Sequence, residues 1–262
     1  MTQKGRLTKE EQDRRFKALC RFIFIFRYST RKQLDSFVET ILNIKHPQWL
    51  IQYAQKQGLI KSYFEPLFRI KIYYLAKKGK DLLYHNEPLI EYYHFEKAYA
   101  GLNTFEHHNL LVESFLLLQK QLEIKEWVSE WALRVGKKKG DKLPDGLIKL
   151  PDGLKIALEA ETSYKTFSIW KWVVKRYGYD IKENCYHAVL IMAIHKHNLE
   201  GIILKLSQIN QELCNKAFIF TDPVMLKTGE CFYQNKVRTL QETLILLKQD
   251  LKKERPDHGQ NL

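Results

Sequence analysis

The sequence predicts an α/β (α+β) protein of two domains, a small helical one that ends in a hairpin and a larger α/β sandwich with a central mixed sheet. Three observations predict it. Apolar residues recur at helical spacing through the first part of the chain and then switch to a period of two. From Phe105 onward helical and extended stretches alternate, the pattern of layered α/β folds. The 262 residues are 45% hydrophobic with only 12 Gly and 7 Pro, enough apolar material for two packed cores. The expected limits are 1–85 for the first domain, 86–103 for a connecting segment rich in Tyr92, Tyr93, His94, Phe95 and Tyr99, 104–253 for the second domain, and 254–262 for a frayed tail.

Thr8–Tyr28 carries Phe16, Leu19, Cys20, Ile23 and Phe26 on one helical face, and Thr8 followed by Glu11 is a capping-box pair. Ser29 or Thr30 caps a second helix, Arg31–Val38. Pro47 has no N–H to leave unsatisfied in a first turn, so it opens a third, Pro47–Gln57, which Gly58 stops. Lys61–Phe64 and Phe68–Leu75 are predicted strands about Glu65-Pro66, with Phe68, Ile70, Ile72 and Tyr74 alternating, and Ala76–Leu83 closes the unit. Three helices and then a two-stranded wing is the winged-helix arrangement. The stretches QWLIQYAQKQGLI and IYYLAKKGKDLL resemble winged-helix DNA-binding domains. That resemblance implies a third helix that enters the major groove of double-stranded DNA. Leu50, Tyr53 and Ala54 would pack inward, leaving Gln48, Trp49, Gln52, Gln55 and Lys56 outward. Glutamine suits the adenine edge, while Lys61, Arg69 and Lys71 on the wing suit phosphates.

The formal charge of +13 favours a polyanionic partner without choosing among nucleic acid, acidic protein and anionic membrane. The most apolar run, Phe22–Phe26 between Arg21 and Arg27, is far short of the roughly 20 residues that span a bilayer, so no membrane insertion is expected. The opening residues, with Lys4, Arg6, Lys9, Glu10 and Glu11, do not read as a secretory signal, and a cytoplasmic location is expected. Cys20, Cys185, Cys214 and Cys231 are scattered, as reduced thiols would be.

In the second domain the predicted elements are a helix Phe105–Leu122, a strand Trp127–Val135, strands Asp145–Leu150 and Leu154–Thr162, a helix Thr166–Tyr177, a strand Cys185–Ala193, a helix Leu199–Leu213, a strand Ala217–Thr221 and a helix Val237–Lys253. The leucines of the last helix, Leu240, Leu244, Leu247 and Leu251, suit core docking or the seam of a homodimer. Trp127, Trp131, Trp170 and Trp172 are expected in the core.

A duplication stands out: Pro144-Asp145-Gly146-Leu147 and Pro151-Asp152-Gly153-Leu154. The second copy is turn chemistry between two alternating runs. A hairpin symmetric about Asp152 pairs Leu150 with Leu154, Ile148 with Ile156, Gly146 with Leu158 and Asp145 with Glu159. The last pair would hold two carboxylates about 5 Å apart across the strands, which destabilises a sheet unless a cation compensates. Mg²⁺ or Mn²⁺ would do so, with Glu161 as a third ligand and Glu113 as a fourth.

Pro144-Asp145, a spacer and Glu159-Ala160-Glu161 resemble the PD-(D/E)xK pattern of restriction-endonuclease-like nucleases. The resemblance implies Asp145 and Glu159 as metal ligands and Glu113 as a supporting acid. Glu161 stands where the pattern has Lys, so the lysine must come from elsewhere, with Lys165, Lys171 and Lys175 as candidates. A winged helix followed by this pattern resembles the replication-relaxation family, including the MobC group of plasmid mobilisation relaxases. HHNLLVE, with His107 or His108 and Glu113, fits its first domain helix. The resemblance implies a metal-dependent DNA-nicking relaxase or endonuclease that acts at a plasmid or mobile-element origin, with coupling or accessory mobilisation proteins as partners. The alternative is a DNA-binding accessory or regulator with a decayed nuclease-like domain.

Overall fold

The computed structural model describes residues 8–95, 102–138 and 142–254. Tyr99 and the expected tail beyond Glu254 lie outside them. The chain divides into two units, Met1–Phe105 and Glu106–Leu262.

In the first unit Thr8 caps α1 (Lys9–Phe26), its hydroxyl accepting from the Glu11 amide at 3.2 Å. Phe22 and Phe24 are buried along with Phe16, Leu19, Ile23 and Phe26, so α1 is the central element of this core rather than a surface helix. A short strand, β1 (Ser29–Thr30), follows. Thr30, not Ser29, caps α2 (Arg31–Thr40) with a complete capping box to Gln33, while Ser29 is fully buried. Next come α3 (Pro47–Lys56), β2 (Ile60–Glu65), β3 (Ile70–Leu75) and α4 (Lys77–Leu83). β3 lies between β1 and β2, antiparallel to both. β1 was not expected, because two residues carry no periodicity. Tyr93 ties the unit together: its hydroxyl donates to the Arg27 carbonyl at 2.6 Å and accepts from the Leu75 amide at 3.0 Å.

The second unit holds most of α5 (Leu102–Gln121), then β4 (Glu126–Ser129), α6 (Glu130–Arg134), β5 (Gly146–Lys149), β6 (Lys155–Glu161), α7 (Phe167–Lys182), β7 (Ala188–Ala193) and α8 (Lys196–Ala217). It closes with β8 (Phe218–Thr221), α9 (Pro223–Lys227), β9 (Glu230–Tyr233), β10 (Lys236–Thr239) and α10 (Leu240–Glu254). The strands form one mixed sheet of order β10-β9-β8-β7-β6-β5-β4, in which β6, β7 and β8 run parallel. A core of Trp170, Val173, Tyr177, Val189, Ile191, Leu206 and Phe218 lies between α7, α8 and the sheet.

The β5–β6 register is the one expected: Gly146 opposite Leu158, Leu147 opposite Ala157, Ile148 opposite Ile156 and Lys149 opposite Lys155. Gly153, at φ +87°, makes the turn. Gly146 has a different role, as the first residue of β5. A Cβ there would lie 3.0 Å from the Trp127 ring, so the first Pro-Asp-Gly is not a turn.

The expected strand Trp127–Val135 is half strand and half helix. The partner strand β5 begins at Gly146, opposite Ser129; beyond that point the Glu130 amide bonds the Asp145 carbonyl at 3.0 Å and the chain coils into α6. The β9–β10 hairpin was not foreseen. Its turn is Gln234-Asn235, both left-handed (φ 51° and 61°), instead of the Asn-Gly or Asp-Gly that announces a two-residue turn. Val237 therefore lies in β10, and the last helix starts at Leu240. Leu240, Leu244 and Leu247 are buried within the unit's own core. Trp172 is half exposed, unlike Trp127 and Trp170. No helix among the described residues is long and apolar enough to cross a membrane.

Two glycines make the close packing testable. A Cβ on Gly79 of α4 would sit 2.1 Å from the Leu59 carbonyl oxygen, which the Ala76 amide holds in place, whereas one on Gly201 of α8 would meet nothing within 4 Å. Gly79→Ala is expected to destabilise by about 2 kcal/mol or more, as overpacking does. Gly201→Ala should stabilise by up to about 1 kcal/mol through helix propensity. Urea titrations of both variants check this.

Candidate functional site

The antiparallel register ends at Gly146, and the residue before it, Asp145, meets the end of β6 with its side chain. Asp145 Oδ2 accepts from the Ala160 amide at 2.8 Å and lies 3.1 Å from His107 Nε2 of α5. Glu159 and Glu161, two residues apart on β6, fall on the same face by the period of two, and both are buried, at 1% and 2% exposure. Glu159 Oε1 accepts from Lys142 Nζ, in the segment leading into β5, and from the Tyr177 hydroxyl of α7. Glu161 Oε1 accepts from Lys165 Nζ, just after β6. Three carboxylates, two ammonium groups, an imidazole and a phenol thus meet where β5, β6, α5 and α7 come together.

The electrostatics follow from burial. Desolvation alone would raise the Asp145 carboxyl, but the bond to His107, the charge of Lys142 and the Ala160 amide hold it below the ordinary value. His107 moves the opposite way: burial disfavours its charge, and the bond to Asp145 more than restores it, raising the imidazole above its usual value. Burial and the neighbouring Asp145 push Glu159 up to about 7, against the pull of Lys142. Burial likewise raises Glu161 despite Lys165. Tyr177, buried against Glu159, is pushed well above the usual phenol range.

Of the residues singled out from the sequence, the structure brings together Asp145, Glu159, Glu161 and Lys165. The histidine on Asp145 is His107; His108 stands about 100° further round the helix. Glu113 is exposed and does not join the cluster: six residues beyond His107 it is about 9 Å along α5 and on another face. Lys171 and Lys175 are exposed on α7 and line a cleft with α8 and α10. Lys142 and Tyr177 complete the cluster. Lys142 went unsingled because it sits in an aperiodic stretch of lysine and glycine, where no pattern gives a side chain a direction.

Asp145, Glu159 and Glu161 offer hard oxygen donors, and one oxygen of each is outside the hydrogen bonds above, which is the donor chemistry of Mg²⁺ or Mn²⁺. Among the described residues, however, no three His, Cys, Asp or Glu side chains close around a metal position, and Lys142, Lys165 and His107 already face the carboxylates.

In the first unit Gln48, Gln52 and Lys56 are exposed along α3, and Gln55 is half-buried, its side-chain amide donating to Ser62 Oγ at 3.3 Å. The β2–β3 register puts Lys71 opposite Phe64, on the face that Ser62 turns to α3, and Lys61 opposite Tyr74, on the other. Arg69 stands at the tip with left-handed φ 53°. The expected phosphate contacts therefore divide between two faces of the hairpin and its tip.

No protein-family model matches the chain, and no curated protein matches it.

The raised Glu159 value has a thermodynamic consequence. A carboxyl whose value is raised by folding contributes stability that is complete below its ordinary value of 4.5 and is lost as the pH climbs through about 7. Glu159→Gln keeps the shape and removes the titration. The difference in unfolding free energy between variant and wild type is expected to move in the variant's favour across that window, as read from urea titrations at a series of pH values. A difference that stays constant contradicts the shift.

Proposed function

We propose that the protein is a DNA-processing enzyme of plasmid or mobile-element mobilisation, in which an N-terminal winged helix binds duplex DNA and the C-terminal unit cleaves a DNA strand. The observation that carries the cleavage reading is the meeting of Asp145, Glu159 and Glu161 with His107, Lys142 and Lys165 at the ends of β5 and β6. In the nuclease pattern that Pro144-Asp145 and Glu159-Ala160-Glu161 resemble, a lysine stands two residues after the glutamate. Here Lys142 and Lys165 bring the ammonium groups by another route, which supports the reading of a site whose lysine has moved.

In this reading each residue has a role. Asp145 and Glu159 would hold Mg²⁺ or Mn²⁺, with Glu161 beside them. Such an ion, when bound, polarises a phosphodiester and lowers the pKa of a water. His107 and the Ala160 amide orient Asp145 through one carboxylate oxygen, and the other is outside those bonds. Lys142 and the Tyr177 hydroxyl bond one oxygen of Glu159, and its other oxygen is outside those bonds. Lys142 and Lys165, both partly buried beside the carboxylates, can neutralise charge on a phosphate.

One observation favours a second reading. The cluster is charge-matched as it stands, so a non-catalytic DNA-binding accessory protein would be equally stable with it. Supercoiled plasmid DNA carrying the protein's own genetic neighbourhood, incubated with Mg²⁺, Mn²⁺ or EDTA, separates the two. Metal-dependent open-circular product from the wild type is expected, falling to background in Asp145→Asn while the gel shift persists. DNA that is shifted but uncut under every condition selects the accessory reading. For the first unit, Gln52→Ala combined with Lys56→Ala is expected to weaken duplex binding about tenfold or more, the loss of one base contact and one phosphate contact, in fluorescence anisotropy.

A further inference from the structure

Trp49 is an exposed aromatic residue with an unusual support. The residue is 44% exposed on the first full turn of α3, between Gln48 and Gln52. The indole stacks on Tyr53 with centroids 5.7 Å apart and planes at 6°. Tyr53 stacks in turn on Phe16 of α1 at 5.6 Å and 18°, and Phe16 is buried in the core. Three rings thus form a ladder that starts in the core of the unit and ends at the surface. A surface tryptophan with no structural duty would be free to change rotamer; this one is braced from behind by a stack that costs exposed apolar area to present.

The surroundings select the kind of surface it meets. α3 carries no Asp or Glu, and its exposed residues are Gln48, Gln52 and Lys56 beside Trp49. Amides able to pair with adenine and an ammonium group for phosphate therefore flank a rigid apolar plate. In the major groove the apolar feature of an A·T pair is the C5-methyl of thymine, and it lies next to the adenine edge that a glutamine reads.

We propose that Trp49 is a specificity determinant of the first unit, packing against thymine methyl groups so that α3 prefers A·T pairs in the major groove. This rests on the duplex-DNA reading of that unit. Gln48 or Gln52 supplies the hydrogen bonds to adenine, and the indole supplies a contact that a methyl-free pyrimidine cannot return. Burying one methyl group against the ring is worth about fourfold in affinity.

The test uses alternating A-T and alternating A-U duplexes of equal length, which differ only in the C5-methyl, with an alternating G-C duplex as reference, all at low salt. Wild-type full-length protein is expected to bind A-T at least severalfold more tightly than A-U. Trp49→Ala should bind A-T no better than A-U, and Trp49→Phe should keep part of the preference. The thermal melt of each variant shows that the fold is retained. Equal wild-type affinity for A-T and A-U, or a preference that survives in Trp49→Ala, overturns the thymine contact while leaving DNA binding in place. No binding to any of the three duplexes overturns the duplex-DNA reading and this inference with it.

Discussion

The turn at Asp152-Gly153 decides which residues of β5 and β6 face one another, and the charged cluster of the second unit depends on that decision. Strand side chains alternate with a period of two, so a slip of one residue would send Glu159 and Glu161 to the opposite face and bring Leu158 and Ala160 to the place of the carboxylates. With the observed register Asp145 sits one step beyond the last pair, where its carboxylate is free of the ladder and bonds the Ala160 amide. The backbone thus places the acids, and the helices α5 and α7 add His107 and Tyr177 to a site already defined.

Burying carboxylates is costly unless each is paired and hydrogen-bonded. The cluster meets that demand with Lys142 for Glu159, Lys165 for Glu161 and His107 for Asp145. The compensation is unequal. Asp145 stays ionised, while Glu159 is left with a proton affinity suited to neutral pH. Lys165 also faces the Trp170 ring at 5.0 Å, and Lys205 donates to the Lys165 carbonyl at 3.2 Å while lying over the exposed Tyr164 ring, so the segment after β6 is basic and aromatic.

The first unit is organised by aromatic packing. Phe22 stacks on Phe37 at 4.2 Å, Tyr74 on Phe95 at 4.4 Å and Phe68 on Phe105 at 4.1 Å, so rings from α1, α2 and the hairpin region interlock. α3 is held by Tyr53 stacked on Phe16 and by its buried Leu50, Ile51 and Ala54, which leaves its polar side outward. The same packing that stabilises the unit therefore fixes the pose of Gln48, Trp49, Gln52 and Lys56.

Local signals in the chain determined much of this. Capping at Thr8, Pro47 at a first turn, alternation in β3 and the symmetry about Asp152 gave the first helices, the β2–β3 hairpin and the β5–β6 register, because each depends on a few neighbouring residues. Only the tertiary structure decided the rest. Trp127–Val135 broke into β4 and α6 because its partner strand reaches no further back than Gly146, a fact about another segment. Glu113 was set aside and His107 chosen by the rotation of α5 against the sheet. Lys142 reached Glu159 from 17 residues away, along a path that no periodicity records. Sequence pattern fixes which way a side chain points on its own element, and packing fixes what it then meets.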